Sequence, residues 1–308
     1  MRVSASGNRG ARCNINFQVE LTSYCDLTCG YCPNRNMERK RAFMNDEVWL
    51  AILNRYIVPY RQRNAFCPPT FIAHKDGEPL LNKRLPDRLL DVAALAPDMS
   101  IDIYSHGLML PKWAERGQDF MSFLASLPNR VRYLMSYHPV NHDGTLNDYA
   151  PVVAYLSKVL LNRPQNVEFI TVSHKSRWVT EEMQIGWKRV WSGLPITVHC
   201  NCSINPWTGL IEEEGTTQFN GCPYADFGHW FFGATGNIIA CCLDLEEEIV
   251  LGNVLTHDPE EMFRKTEAFY ADQRRTLAEK AKPAHQVCYN CYGYKREDTK
   301  PELLQIGA

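Results

Sequence analysis

Twelve cysteines in a chain of 308 residues carry most of its chemical capacity, and seven of them fall into two spaced sets. Cys25-Asp-Leu-Thr-Cys29-Gly-Tyr31-Cys32 puts three thiols on one short stretch. Three thiolates can hold three irons of a cubane and leave the fourth iron open, much as a catalytic zinc keeps one open position. An open iron is what coordination of a substrate or cofactor requires; the plainer alternative is three structural or zinc-binding thiols. The second set is Cys222, then Cys241 closing Gly236-Asn-Ile-Ile-Ala-Cys241, then the Cys288-Tyr-Asn-Cys291 knuckle. Four thiolates complete a tetrahedral shell, enough for a fully ligated 4Fe-4S cube or for one zinc. Among the other cysteines, Cys13 and Cys67 read as small buried hydrophobes, and Cys200 and Cys202 close a strand near where a substrate would lie.

Such loops need a scaffold, and the pattern supplies one. β-rich runs at 15–21, 70–75, 99–105, 130–137, 167–174 and 196–200 alternate with amphipathic segments at 46–61, 87–96, 112–127, 147–161 and 180–191. Repeated strand-helix units imply a parallel sheet, because a parallel return needs a crossover helix. The fold class is α/β, a partial (β/α)6 TIM-type barrel, two units short of closure. The three-thiol stretch directly follows the first strand, at the C-terminal mouth where barrel active sites form. From about residue 205 the pattern changes to Gly, Cys and aromatics, with short strands at 230–232 and 237–240 and a charged helix at 259–282. The division expected is residues 1–204 as the partial barrel and 205–308 as a small metal-stapled unit.

With 45% hydrophobic and 22% charged residues the chain has the composition of a compact globular protein, and a formal net charge of -2 offers no broad basic surface. Nucleic acid is thereby disfavoured as a partner. No apolar run follows the early arginines, and the uncharged stretch 227–243 is too short for a membrane span. The expected location is the cytoplasm, where thiols stay reduced and spaced cysteines point to metal or redox chemistry.

The C-x3-C-x2-C spacing, with aromatic Tyr31 before the last Cys, resembles the signature of the radical S-adenosylmethionine (SAM) superfamily. The resemblance implies a 4Fe-4S cluster on Cys25, Cys29 and Cys32 whose open iron binds SAM and cleaves it to a 5'-deoxyadenosyl radical. Asp76-Gly77-Glu78-Pro79-Leu80-Leu81 is similar to the family's Gly-Gly-Glu-Pro motif, with Asp76 in place of the first Gly. That likeness makes Gly77, Glu78 and Pro79 SAM-binding residues, with Glu78 accepting from the SAM ammonium. Ser105-His106-Gly107 resembles a Thr-Asn-Gly element, Ser136 and Tyr137 stand where family members contact ribose or methionine, and the stretch from Met37 to Met44 resembles a Met-x-Arg segment.

The second cysteine set, with Asn205-Pro-Trp207-Thr-Gly209, Asp244 and Leu251-Gly252-Asn253-Val254, resembles the SPASM extension in its shorter Twitch form, since no Cys follows Cys291. The implied ligands of one auxiliary 4Fe-4S cluster are Cys222, Cys241, Cys288 and Cys291. Cys242 is the rival to Cys241, because adjacent thiols on a turn can exchange places. An auxiliary cluster can accept one electron, so the resemblance favours net oxidation, as in the 2-deoxy-scyllo-inosamine dehydrogenase-like enzymes. Only fourteen residues precede the first strand, which favours a small polar metabolite over a ribosomally made peptide as substrate. The electron donor implied is of flavodoxin or ferredoxin type. Polar residues expected at the mouth are His74, Tyr104, His138, His142, Asp143, His174 and Lys175, with His138 and Lys175 the leading catalytic candidates. The competing class is a zinc-stapled binding module.

Overall fold

A computed structural model describes residues 15–64, 67–162, 164–202, 222, 224–225, 229–279 and 281–291. Six parallel strands follow the expected order: β1 (Asn16–Val19), β2 (Thr70–Ile72), β3 (Ser100–Ser105), β4 (Val131–Tyr137), β5 (Val167–His174) and β6 (Thr197–Cys202). Each is joined to the next through helix: α1 (Asp46–Ile52) and α2 (Val58–Arg63), then α3 (Leu85–Leu95), α4 (Leu110–Glu115) and α5 (Phe120–Ser126), α6 (Ala150–Leu161), and α7 (Glu181–Val190). This is the partial (β/α)6 barrel. Alternation along the strands sends Phe17, Val19, Phe71, Ile101, Ile103, Tyr133, Met135 and Phe169 under the helices, all 2% exposed or less. The intervening residues, Tyr104, Ser136 and His174 among them, belong to the other face.

Two of the expected helices are divided, each at a residue that breaks helix. The segment expected at 46–61 passes through a π turn at Leu53–Ile57 just before Pro59, which has no N–H to return to residue 55. The segment at 112–127 stops at Gly117, whose φ of +75° ends α4, and Asp119 then caps α5 by accepting from Met121 N at 3.1 Å and Ser122 N at 3.3 Å.

Past residue 222 the chain adds β7 (Trp230–Phe232), β8 (Asn237–Ile239) and β9 (Val250–Asn253), then α8 (Pro259–Ala278) and α9 (Gln286–Cys291). β7 pairs in parallel with the free edge of β1, and β8 and β9 follow antiparallel, giving one nine-stranded sheet in the order β6-β5-β4-β3-β2-β1-β7-β8-β9. Trp230, Phe232, Ile238, Val254 and Met262 are buried in the same core as β1 and the α1–α2 segment, where Tyr56 meets Phe232 edge-on at 5.4 Å. β9 was not among the expected strands. Asn205 to Gly209 and Cys13 lie outside the described residues. Cys67, expected as a small buried hydrophobe, is half-buried and disulfide-bonded. No helix among the described residues is long and apolar enough to cross a membrane.

Candidate functional site

The chain leaves β1 and makes a long loop across the C-terminal ends of the strands before α1. The loop is closed on itself by Ser23 N to Ala42 O at 3.0 Å, Ala42 N to Ser23 Oγ at 2.8 Å and Met44 N to Leu21 O at 3.0 Å. Within it Cys32 N donates to Cys29 O at 3.1 Å, and Arg35 donates to the carbonyls of Cys29 and Gly30 at 3.3 and 2.6 Å. The segment after β4 holds the loop from outside, His142 N donating to Thr28 O at 2.7 Å and Thr28 N to Asn141 Oδ1 at 3.1 Å.

Cys25, Cys29 and Cys32 therefore project from one fixed loop at the mouth. Burial pushes the Cys32 thiol up to about 11 and those of Cys25 and Cys29 higher still. Thiols so placed are protonated on their own and give up their protons to a bound metal, which is the donor chemistry a three-thiolate cluster site requires.

The β2 loop lies directly against this one. Gly77 sits where an added Cβ would be 2.3 Å from Thr22 O and 2.5 Å from Tyr24 O, and Glu78 N donates to Tyr24 O at 2.8 Å. Glu78, 2% exposed, accepts from Ser105 Oγ at 2.8 Å and Leu80 N at 2.9 Å on one oxygen and from His106 N at 2.9 Å on the other. His106 Nε2 stands 3.3 Å from that second oxygen. Of the four acceptor directions of a carboxylate, three are taken and the fourth is crowded. Through these bonds Glu78 ties the β2 loop to the β3 loop.

Leu108 N aims at His106 Nδ1 at 3.1 Å, so the ring proton is on Nε2 and is shared with Asp26 Oδ1 at 2.8 Å. Cys25, Asp26 and His106 offer ligand atoms within 4.8 Å of one another. Sequence reasoning passed over Asp26; its place inside the three-thiol motif was the available signal.

Tyr31 connects the thiol loop to the rest of the mouth. Its hydroxyl hydrogen-bonds to His138 Nδ1, and its ring lies 5.4 Å from that of His138 and 5.7 Å from that of His174. His138 and His174 stand 6.3 Å apart, and His74 and Tyr104 form a further ring pair at 5.7 Å. Burial, and the nearness of His174, His106 and His74, hold the His138 pKa well below its usual value, so the ring is neutral at pH 7. A positive φ of 56° at Asn201 shifts the β5–β6 register and brings Cys202 opposite His174.

Other expected residues vary in setting. Tyr137 stacks on Trp187 of α7 at 4.1 Å and meets Tyr149 edge-on, and it also packs against the cluster formed by Tyr31 and Val179. Strand alternation gives Tyr137 the phase of Tyr133 and Met135. Ser136 is on the opposite side, half-buried. Lys175 is exposed, its backbone N donating to Cys202 O at 2.9 Å. Asp143 is exposed and closes its own turn on Thr145. His142 is exposed beside Trp178, whose indole covers Gly30 so closely that an added Cβ would be 2.1 Å from it.

In the second set, Cys288 and Cys291 are on α9, near Cys222, Cys241 and Cys242. Burial, then the nearby thiols, push Cys288 and Cys291 up to about 12, again a set suited to losing protons only to a metal. Leu243 N points at Cys241 Sγ at 3.3 Å, while Cys242 Sγ is 2.9 Å from the Tyr224 hydroxyl.

A family profile described as an iron-sulfur cluster-binding domain, SPASM, matches residues 222–292. Among solved structures, BtrN in complex with AdoMet and 2-DOIA is similar at a TM-score of 0.61 and 16% identity, covering 91% of this chain and 93% of that one. The native anSMEcpe with bound AdoMet and Cp18Cys peptide is similar at a TM-score of 0.57 and 14% identity, covering 92% and 91%. No curated protein sequence matches. The chain therefore carries, at residues 222–292, a match to the SPASM iron-sulfur cluster-binding domain, on a fold similar to those of BtrN and anSMEcpe, both seen with bound AdoMet.

Proposed function

We propose that this chain is a radical SAM enzyme whose net reaction is the dehydrogenation of a small polar metabolite. The observation that carries the reading is the set of three buried or half-buried thiols, Cys25, Cys29 and Cys32, on one loop at the C-terminal ends of parallel strands, pressed against the Gly77 loop. In this reading those thiols hold a 4Fe-4S cluster, the loops around Gly77, Pro79 and Ser105 line the SAM site, and Cys222, Cys241, Cys288 and Cys291 hold an auxiliary 4Fe-4S cluster. Residues 1–204 then serve as the SAM-binding part and 205–308 as the auxiliary part. When bound, SAM and a reduced cluster supply a 5'-deoxyadenosyl radical, able to take an unactivated hydrogen atom.

The chain's own residues supply the remainder. Removing a hydrogen atom and an electron from an alcohol also releases a proton, and in this reading His138, hydrogen-bonded to Tyr31 beside the thiol loop, accepts it. His174 and Tyr104 offer hydrogen bonds to a polar substrate. Electrons would enter from a donor of flavodoxin or ferredoxin type.

Anaerobic reconstitution should load about eight irons per chain, two cubanes on the thiolate count. Strong reduction with SAM should then yield 5'-deoxyadenosine. Zinc in place of iron, with no 5'-deoxyadenosine, would reject the enzyme in favour of a zinc-stapled binding module. A peptide substrate is the second reading, supported by the fold likeness to anSMEcpe, which is seen with a bound Cp18Cys peptide. Deuterium transfer into 5'-deoxyadenosine from labelled cyclitols or from labelled peptides separates the two.

A further inference from the structure

A cluster of buried charges lies outside both thiol sets and joins them. Arg39, beyond the three-thiol loop, has a side chain only 12% exposed. Its Nη2 donates to Glu20 Oε1 at 2.6 Å and Asp76 Oδ2 at 2.8 Å, its Nε donates to Leu245 O at 2.5 Å, and its Nη1 pairs with Glu247 at 3.2 Å. The backbone N–H groups of Glu38 and Arg39 both donate to the Glu246 carboxylate, at 3.0 and 2.7 Å. Lys75, its side chain fully buried, bonds to the Asp76 carboxylate and donates to Asp244 O at 2.9 Å.

The Asp244 carboxylate in turn accepts from Glu248 N at 2.9 Å and Ile249 N at 2.8 Å, fixing the turn that follows Cys241 and Cys242. Asp76 is the residue that stands where the Gly-Gly-Glu-Pro motif has its first Gly. Its carboxylate is the anion that meets both cations, which gives the departure a physical role.

Five buried charged groups are poor value as stabilisation, since apolar residues of the same shape would serve a core as well or better. What such a network can do is select one geometry. Here it holds two segments together: Asp76-Gly77-Glu78 beside the catalytic thiols, and Asp244 to Glu247 beside the auxiliary ones. Burial raises Asp76 to about 7, against the pull of Lys75 and Arg39.

We propose that Arg39 and Lys75 are positioning residues that couple the two sites, so that a turn ordered by the auxiliary thiols' ligand holds the Asp76–Glu78 loop in its SAM-binding form. The coupling rests on the reading of this chain as a SAM-binding protein. It is reciprocal, so SAM bound at the first site favours the ordered turn at the second.

The test is a double-mutant cycle read by equilibrium binding of SAM to the anaerobically reconstituted full chain. The four forms are the wild type, Lys75→Met, Cys288→Ser with Cys291→Ser, and all three changes together. The auxiliary-less form should bind SAM about tenfold more weakly, Lys75→Met should lose a similar factor, and the combined form should be no worse than either. Losses that multiply, or an auxiliary-less form that binds SAM normally, overturn the coupling. A wild type that loads iron but binds no SAM would overturn the functional reading itself. Because Lys75→Met leaves Asp76 against Arg39 alone, the cycle is repeated with Lys75→Met plus Asp76→Asn, which removes opposite charges together. Iron retained on the catalytic thiols shows that this form is folded, and it must give the same non-additivity for the coupling to stand.

Discussion

Replacing Gly77 with Ala tests how closely the β2 loop must approach the thiol loop. The new methyl would stand 2.3 Å from Thr22 O, 2.5 Å from Tyr24 O and 2.8 Å from the Ser23 carbonyl carbon, all of them backbone atoms. No rotamer change relieves such contacts. Reaching the 3.4 Å of ordinary contact requires the loop to retreat by roughly 1 Å from its 2.3 Å approach. The Glu78 N to Tyr24 O bond, now 2.8 Å, does not survive that movement. Overpacking costs about 1–3 kcal/mol and the lost bond about 1 kcal/mol, so a loss of about 2–4 kcal/mol is expected. With an unfolding entropy of about 2.1 cal/mol/K per residue, that corresponds to a fall in Tm of roughly 3–6 °C for a chain of this length.

Two other glycines serve as controls. Gly117→Ala has nothing within 4 Å and only its φ of +75° to contend with, so it should cost about 1–2 kcal/mol and leave SAM binding intact. In Gly30→Ala the obstacle is the Trp178 indole, a side chain that can swing away. Anaerobic calorimetry and equilibrium SAM binding, run on all three, order them: Gly77→Ala should lose both stability and SAM affinity. If it melts like Gly117→Ala and binds SAM like the wild type, the close approach is not what forms the site.

Burial holds His74 and His229 down at about 4, below the usual 6.5. The unfolded chain takes up these protons below 6.5 while the folded chain does not until about 4, so stability is full above that window and lost as pH falls through it. The slope is about 1.4 kcal/mol per pH unit for each group, and His74→Gln should flatten the stability curve by that amount between pH 6 and 4.5; an unchanged curve in anaerobic urea titrations would contradict the burial argument. Asp76, raised to about 7, works in the opposite sense, which is why the comparison is made against the variant. Cys241→Ser should shed the auxiliary iron and Cys242→Ser retain it, because Leu243 N already points at the Cys241 sulfur while Cys242 is engaged with Tyr224; the reverse pattern by iron analysis exchanges the ligands. His138→Gln should lower turnover by about 10²-fold with SAM affinity unchanged, and undiminished turnover would remove His138 as the proton acceptor.

The parallel strands and their crossovers were legible because each depends on apolar period within its own segment. Their breaks were missed, although Pro59 and Gly117 stand inside the segments they divide. The partner of β7 was not. Trp230-Phe-Phe reads as a short apolar strand wherever it docks, and only the free edge of β1, with Tyr56 and Phe17 beside it, selects its place in the sheet. Contact of Tyr137 with α7 could have been assigned from parity alone, since it shares the phase of Tyr133 and Met135.

The two thiol sets stand out in the sequence for a different reason from the fold. Close spacing along the chain forces Cys25, Cys29 and Cys32 together before any tertiary structure forms, so their chemistry needs little context. Charged residues carry no such information, because a lone Lys75 or Arg39 reads as solvated surface until its counter-ions are known. Those counter-ions come from the ends of β1 and β2 and from a turn some two hundred residues away. Glu78 shows the converse. Its motif suggests a ligand contact, and the bonds from Ser105, Leu80 and His106, which tie two loops together, could not be read from the motif. A motif transfers the place of a loop more securely than the task of each side chain on it, and at Asp76 the neighbours decide the task.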